Sequence, residues 1–396
     1  MPIPTPFHAR TEAVCDSNEW RTWSGYKAAS LYEPSHEREY FAIRNSAALI
    51  DISPLFKYEI SGPDAVAAVD RIMTRNIAKC RVGQVMYSPW CDGAGKIIDD
   101  GTISRLDENF FRITAADPML RWFQDVSFGF DVEVVDVSAD LAALALQGPC
   151  SRDILKEAVD DVDFDSLKFF YLANGRVDGF PLTITRTGYT GDLGYELWVA
   201  PEHAEALWDR LMAVGSRYGL LPAGMLALDM ARVEAGLLLI EVDYTSTNHA
   251  VIESQKSSPF EIGLGWTVDL DGGDFIGRKA LLAEKKSDPV TCFVGLEMNW
   301  PDLERVFDEV DLPPQVASRA SRDATPIYKN GRQIGKMTSS SFSPILKKYI
   351  GIGTIKREYA KIGTEVEVEF TVEYAHKNVA AAIVKTPFFN PKRKRE

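Results

Sequence analysis

Arg186-Thr187-Gly188-Tyr189-Thr190-Gly191-Asp192-Leu193-Gly194-Tyr195-Glu196-Leu197-Trp198 sets three glycines into seven positions and then runs into an alternating strand. Glycine lacks a Cβ, so it takes positive φ freely and lets a flat ligand approach the backbone. Glu196 follows at the strand start, where fixed neighbours can aim its carboxylate into a cleft. On its own the pattern has a second reading, a tight hairpin entrance with a solvent-facing glutamate. The rest of the chain has to choose between them.

At 396 residues the chain exceeds one ordinary core, so two or three domains are expected. Its 45% apolar content is that of a globular protein. No run approaches the roughly 18 apolar residues of a membrane span. Met1 to Phe7 lacks the basic and apolar regions of a signal peptide. Five scattered cysteines, none in a CxxC pair, imply reduced thiols, a cytoplasmic setting and neither disulfides nor a zinc site. The five histidines are isolated, so no metal centre is expected. A net charge of −13 argues against a nucleic-acid partner. The one basic cluster, Lys392 to Arg395, reads as a solvated, frayed end.

Between Arg38 and Phe130 the pattern is mixed α/β. Phe56 to Ser61 alternates as a strand, and Pro63 opens a helix with Val66, Val69, Ile72 and Met73 on one face. Strands are expected at Val85 to Trp90, Ile97 to Arg105 and Phe110 to Thr114. A second block repeats the rhythm: a strand at Ala142 to Leu146, a helix at Ser151 to Val159, and a strand at Leu182 to Arg186. Pro201 then opens a helix with Leu207, Leu211 and Val214 facing inward. From Val290 short strands dominate, as in Thr291 to Leu296 and Glu365 to Val372. The class is therefore α+β, two ferredoxin-like halves followed by a C-terminal β-barrel or sandwich. The expected domains are 1–140 (partly completed by later segments), 141–270 and 285–396.

Six segments in order resemble the glycine cleavage T-protein family. They are Asp51-Ile52-Ser53, Lys96 to Asp100, Leu146 to Pro149, the glycine segment, Arg232 to Gly236 and Asp274 to Leu281. The resemblance implies a three-domain cloverleaf with tetrahydrofolate in a central channel. It implies Asp99 as the catalytic carboxylate, because one-carbon transfer changes protonation at the folate nitrogens. The alternative for Asp99 and Asp100 is an ordinary solvated or turn-capping pair. Glu196 is the expected pterin anchor, since a carboxylate can accept an amino group and a ring N–H together. Tyr189 and Tyr87 are expected to stack on the ring or donate a hydroxyl, with core packing as the alternative. Trp266, in an expected strand, flanks the folate or is a core tryptophan. Arg232 and Glu234 read as a helix ion pair or as ligand-positioning groups.

The chain departs from the glycine enzyme where Leu228 replaces a family arginine and Pro54 a histidine. A segment bearing asparagine in the family becomes Thr114-Ala115-Ala116-Asp117-Pro118. These changes resemble the folate-dependent demethylases and alter what the cleft can hydrogen-bond. The expectation is a methyltransferase moving a methyl group from a small S-, N- or O-methyl donor to tetrahydrofolate. Trp20, Trp23, Tyr26 and Trp90 form a cage for a cationic donor or belong to the core. Two alternatives stand beside it. One is an aminomethyltransferase of glycine cleavage, which needs a lipoyl carrier protein as partner. The other is a folate-binding protein without transfer chemistry, against which the Asp99-Asp100 pair argues. The absence of an early GxGxxG excludes an appended flavin oxidase.

Overall fold

Phe56–Ser61 and Phe110–Ala115 alternate because one face of each strand packs inward, and the two pair antiparallel in the first sheet. The computed structural model describes residues 1–396. The sheet runs in the order Val85–Cys91, Ile97–Asp107, Phe110–Ala115, Phe56–Ser61, Glu133–Asp136. Helix Ala65–Ile72 turns Ala65, Ala68, Val69 and Ile72 onto it, beside Trp90, Phe111 and Phe123.

The second sheet has six strands, ordered Leu172–Val177, Phe180–Thr185, Gly194–Val199, Ala142–Gln147, Ala47–Asp51, Leu220–Pro222. Strand Ala142–Gln147 reads as continuously apolar because helices cover both faces. Leu144 and Leu146 pack with helices Ser151–Ala158 and Ala204–Gly215. Ala143 and Ala145 face helices Glu37–Asn45 and Met225–Glu234, whose close approach needs small residues. Ala47–Asp51 pairs antiparallel with Ala142–Gln147 and parallel with Leu220–Pro222.

The third unit is a closed six-stranded barrel, Thr291–Met298, Lys348–Lys356, Arg332–Ser343, Thr325–Lys329, Glu365–Val372, Ala375–Val384. Closure leaves no free sheet edge, and Val366, Val368 and Val372 point inward. Helix Met225–Glu234 docks on it through charge. Arg232 donates to Asp229 at 2.7 Å, Asp243 at 2.5 Å and the Ser339 hydroxyl at 2.8 Å. Glu234 accepts from Arg44 at 2.8 Å, Ser343 at 2.5 Å and the Tyr40 hydroxyl. Arg232 and Glu234 thus pair with other residues rather than with each other. No helix is long and apolar enough to cross a membrane.

Three expectations are corrected. Trp266 lies in the short 3-10 turn Gly265–Thr267, not in a strand, and is 65% exposed, so it is no core tryptophan. The basic run Lys392 to Arg395 is docked rather than frayed, because Arg393 finds a buried acid, Asp192, at 2.6 Å. The four aromatics form no single cage. Trp90 is wholly buried beside Phe123, and Lys27 already lies 4.4 Å over the Trp20 ring.

Lys57 on strand Phe56–Ser61 is fully buried, donating to the Ser53 carbonyl at 2.6 Å and the Ser138 carbonyl at 3.3 Å. Burial lowers its pKa to about 8, against the pull of Asp51 and Asp136. Below pH 8 the folded state buries a charge that the unfolded chain leaves in water. Between pH 8 and the ordinary value of 10.5 the folded lysine releases its proton first, so this cost fades as pH rises. Lys57→Met is expected to gain stability over the parent at neutral pH. In urea titrations that gain should shrink by about 2 kcal/mol between roughly pH 7 and 9.5. A difference independent of pH contradicts a buried, charged Lys57.

Candidate active site

Strand Ile97–Asp107 carries the two adjacent carboxylates. Consecutive strand residues face opposite ways, but the register shifts opposite the Trp90–Cys91 step and re-aims the chain there. Asp99 is 0% exposed. It accepts the Asp100 amide at 2.7 Å and the amides of Ala116 and Asp117 at 3.0 Å each. Asp100, half-buried, accepts the Tyr87 hydroxyl at 2.7 Å and the Tyr244 hydroxyl. Burial holds the Asp99 pKa well above the carboxylate range, with the Asp100 charge adding to it and the amide bonds opposing. Burial raises Asp100 as well, against the two tyrosine bonds.

Tyr87 stacks on Trp266, with ring centroids 6.1 Å apart and planes 23° from parallel, and Arg75 lies 5.5 Å from the Trp266 centroid. Tyr244 comes from the irregular stretch after helix Met225–Glu234 and was missed in the sequence, where no periodicity marks it. Its neighbour Asp243 is the acid that Arg232 holds, so the same ion pair sets both. Further along, His249 stands 3.1 Å from Glu241 and 3.5 Å from Asp117. The stretch thereby closes against the turn whose amides bind Asp99.

The glycine segment is shaped by Gln147. A Cβ at Gly188 or at Gly194 would overlap the Gln147 side-chain amide. That amide donates to the Thr187 carbonyl at 3.3 Å and the Tyr195 carbonyl at 3.4 Å, and accepts from the Thr190 hydroxyl at 2.8 Å. Glu196, half-buried on strand Gly194–Val199, accepts from Thr187 at 2.7 Å and Thr185 at 3.3 Å. Both bonds fall on Oε2. Burial raises the Glu196 pKa, and the threonine bonds oppose it. Tyr189 donates to the Leu238 carbonyl and packs beside the cluster containing Leu228.

The structure therefore brings Tyr87, Asp100 and Tyr244 together, with Trp266 stacked on Tyr87. Asp99, expected as the catalytic carboxylate, has no exposed surface and gives both oxygens to backbone amides, so it is Asp100 that stands in the site. Tyr189 lies within the electrostatic reach of Asp100 and Asp243. Glu196 finds its hydrogen-bond partners on its own sheet and its adjoining loop. The open cleft of about 440 Å³ lined by Arg81, Asp163, Lys168 and Tyr171 contains none of these residues.

Residues 6–272 match the GCVT N-terminal domain, and residues 310–390 match the glycine cleavage T-protein C-terminal barrel domain. The chain belongs to the glycine cleavage T-protein family. It is 36% identical over 354 residues to an aminomethyltransferase of Halothermothrix orenii, covering 88% of this chain and 90% of that one. A trimethylamine-oxide aldolase of Ruegeria pomeroyi is also 36% identical, over 90% of this chain but 43% of that longer protein. The crystal structure of the glycine cleavage system aminomethyltransferase T from Bartonella henselae superposes with a TM-score of 0.83 at 25% identity, covering 98% of this chain. The family's fold is the one described above, mixed α/β with a closed C-terminal barrel.

Gly194→Ala tests the wedge of Gln147. Chemical denaturation is expected to show a loss of about 1–3 kcal/mol, typical of overpacking. Part of it should return when Gln147→Ala makes room. A Gly194→Ala protein as stable as its parent contradicts the wedge.

Proposed function

We propose that the protein is a tetrahydrofolate-dependent one-carbon transferase of the aminomethyltransferase type, taking its carbon from an aminomethyl group on a lipoyl carrier. Relatives carrying that name align along most of both chains. They outweigh the departures that pointed first to a demethylase. The observation that carries the reading is the buried Asp99-Asp100 pair, clamped by amides and tyrosines where the first sheet meets the Tyr244 stretch.

The residues fit a reduced pterin. Glu196 spends only Oε2 on protein partners and keeps Oε1 for a ligand donor. Tyr189 and Tyr87 supply flat walls, and exposed Trp266 extends one of them outward. Tetrahydrofolate, when bound, supplies the amines that accept the carbon. Glu196 orients the pterin, and the fixed geometry of the site replaces a chance encounter, which can contribute on the order of 7–11 kcal/mol. Asp100, half-buried and held by Tyr87 and Tyr244, holds or moves the proton at the reacting nitrogen, while Asp99, wholly buried with both oxygens on backbone amides, is its structural neighbour.

A second reading, demethylation of a small methyl donor, draws on Leu228 and on the aldolase relative. Anaerobic incubation with tetrahydrofolate, reading the folate product by mass, separates the two. 5,10-Methylenetetrahydrofolate formed only with an aminomethyl-lipoyl carrier supports the first, and 5-methyltetrahydrofolate from a small donor the second. Neither product with any donor defeats both.

Asp100→Asn is expected to bind tetrahydrofolate within a few-fold of the parent while turnover falls about 10²–10⁴-fold. Full turnover in that variant removes Asp100 from the chemistry. Glu196→Ala should lose folate binding in calorimetry with its circular dichroism intact.

A further inference from the structure

The basic run Lys392 to Arg395 is the one sequence motif that the proposed reaction leaves unused. Its segment, 385–396, leaves the barrel and lies as a strap against the glycine segment and the helices beside the second sheet. Arg393 forks onto Asp192, with Nε 2.6 Å from Oδ1 and Nη2 2.8 Å from Oδ2. The Asp192 side chain is 0% exposed. Arg393 also reaches the Arg44 carbonyl at 3.3 Å.

The strap backbone is held from the other side. Arg186 Nη2 donates to the Arg393 and Lys394 carbonyls at 3.5 and 3.3 Å, and Arg152 to the Glu396 carbonyl at 3.0 Å. The Phe389 amide donates to the Glu234 carbonyl at 2.9 Å, and the Arg44 guanidinium sits 4.3 Å over the Phe389 ring.

Two of these anchors belong to the glycine segment itself. Arg186 opens it and Asp192 lies near its middle, so the strap grips the loop on both sides of Tyr189 and just ahead of Glu196. Gly191 takes φ +76°, with Ala235 packed where a Cβ would stand and the Phe389 carbonyl close behind. A glycine-rich loop holds its own shape poorly, because glycine loses more freedom on ordering than any other residue. Without Arg393, the buried Asp192 keeps the Leu193 amide at 2.7 Å and, for a charge partner, Arg44 at 3.7 Å, which is already committed to Glu234. A buried carboxylate left in that state drives the loop to rearrange.

We propose that the strap, through the Arg393–Asp192 fork, is a positioning element for folate binding. It fixes the glycine segment in the shape that presents Tyr189 and Glu196 to the pterin. Arg393 is a positioning residue and touches no reacting atom. The inference rests on the one-carbon-transfer reading above.

The test compares the full-length parent with Arg393→Ala, Arg393→Lys and a deletion of residues 392–396. Tetrahydrofolate Kd is read by calorimetry, KM and kcat by turnover, and Tm by thermal melting. Ile327→Val in the barrel core, lowering Tm without touching the strap, serves as the control for stability alone. Arg393→Ala and the deletion are expected to raise folate Kd and KM at least tenfold, with kcat at saturating folate within about threefold. Lysine keeps the charge but cannot fork, so Arg393→Lys should recover only part of the affinity. It also serves should the alanine variant fail to fold. Strap variants that lose Tm as the control does, yet keep the parent's Kd and KM, overturn the proposal and leave a plain staple. A parent that binds no tetrahydrofolate defeats the function reading, and the strap's role with it.

Discussion

A single buried guanidinium ties the three units to the carboxylate pair. Arg232 is wholly buried, and a buried charge is tolerable only when paired and hydrogen-bonded. Asp229 and Asp243 supply the pairing, and the barrel supplies the rest. Asp243 takes the Thr338 and Ser339 hydroxyls at 2.6 and 2.7 Å and the Leu239 amide at 2.8 Å. Burial works against the Arg232 charge, but Asp243, Tyr189 and Asp229 together outweigh it and the pKa rises. One residue further along, Tyr244 is delivered to Asp100. The chemistry proposed for Asp100 thus depends on an ion pair that never touches a substrate.

A parallel network secures the glycine segment. Arg44 donates to Glu234, to the Thr190 carbonyl at 2.9 Å and to the Ala231 carbonyl at 3.1 Å. Glu234 in turn takes hydroxyls from Tyr40 on the helix before the second sheet and Ser343 on the barrel. Both networks start on helix Met225–Glu234. That explains why Arg232 and Glu234 sit two residues apart without pairing: each faces a different neighbour. Such groups contribute less to net stability than an apolar core would, but they fix one arrangement of three separate cores.

Local periodicity made much of the fold legible. Phe56–Ser61, Ala65–Ile72 and Ala142–Gln147 announce themselves because their apolar spacing is set by burial within a few residues of chain. The glycine segment was legible for a similar reason, since Gly188 and Gly194 leave room for Gln147. What stayed hidden depends on distant partners. Ala47–Asp51 finds its place only by pairing with strands far along the chain. Arg393 looks solvated until Asp192, 201 residues earlier, is placed beneath it. Tyr244 carries no periodic signal and gains meaning only from Asp100, 144 residues away. Trp266 looked like a strand or core residue and is instead exposed on a 3-10 turn, stacked on Tyr87.

The most direct measurement is a crystal structure of the protein with 5-methyltetrahydrofolate. The account places the pterin amino group and ring N–H on Glu196. Its N5 should lie on the side of Asp100, within hydrogen-bond reach of about 2.6–3.2 Å directly or through one water. Ligand seated instead in the open cleft lined by Arg81 and Lys168, with Glu196 still bonded only to its threonines, would contradict it.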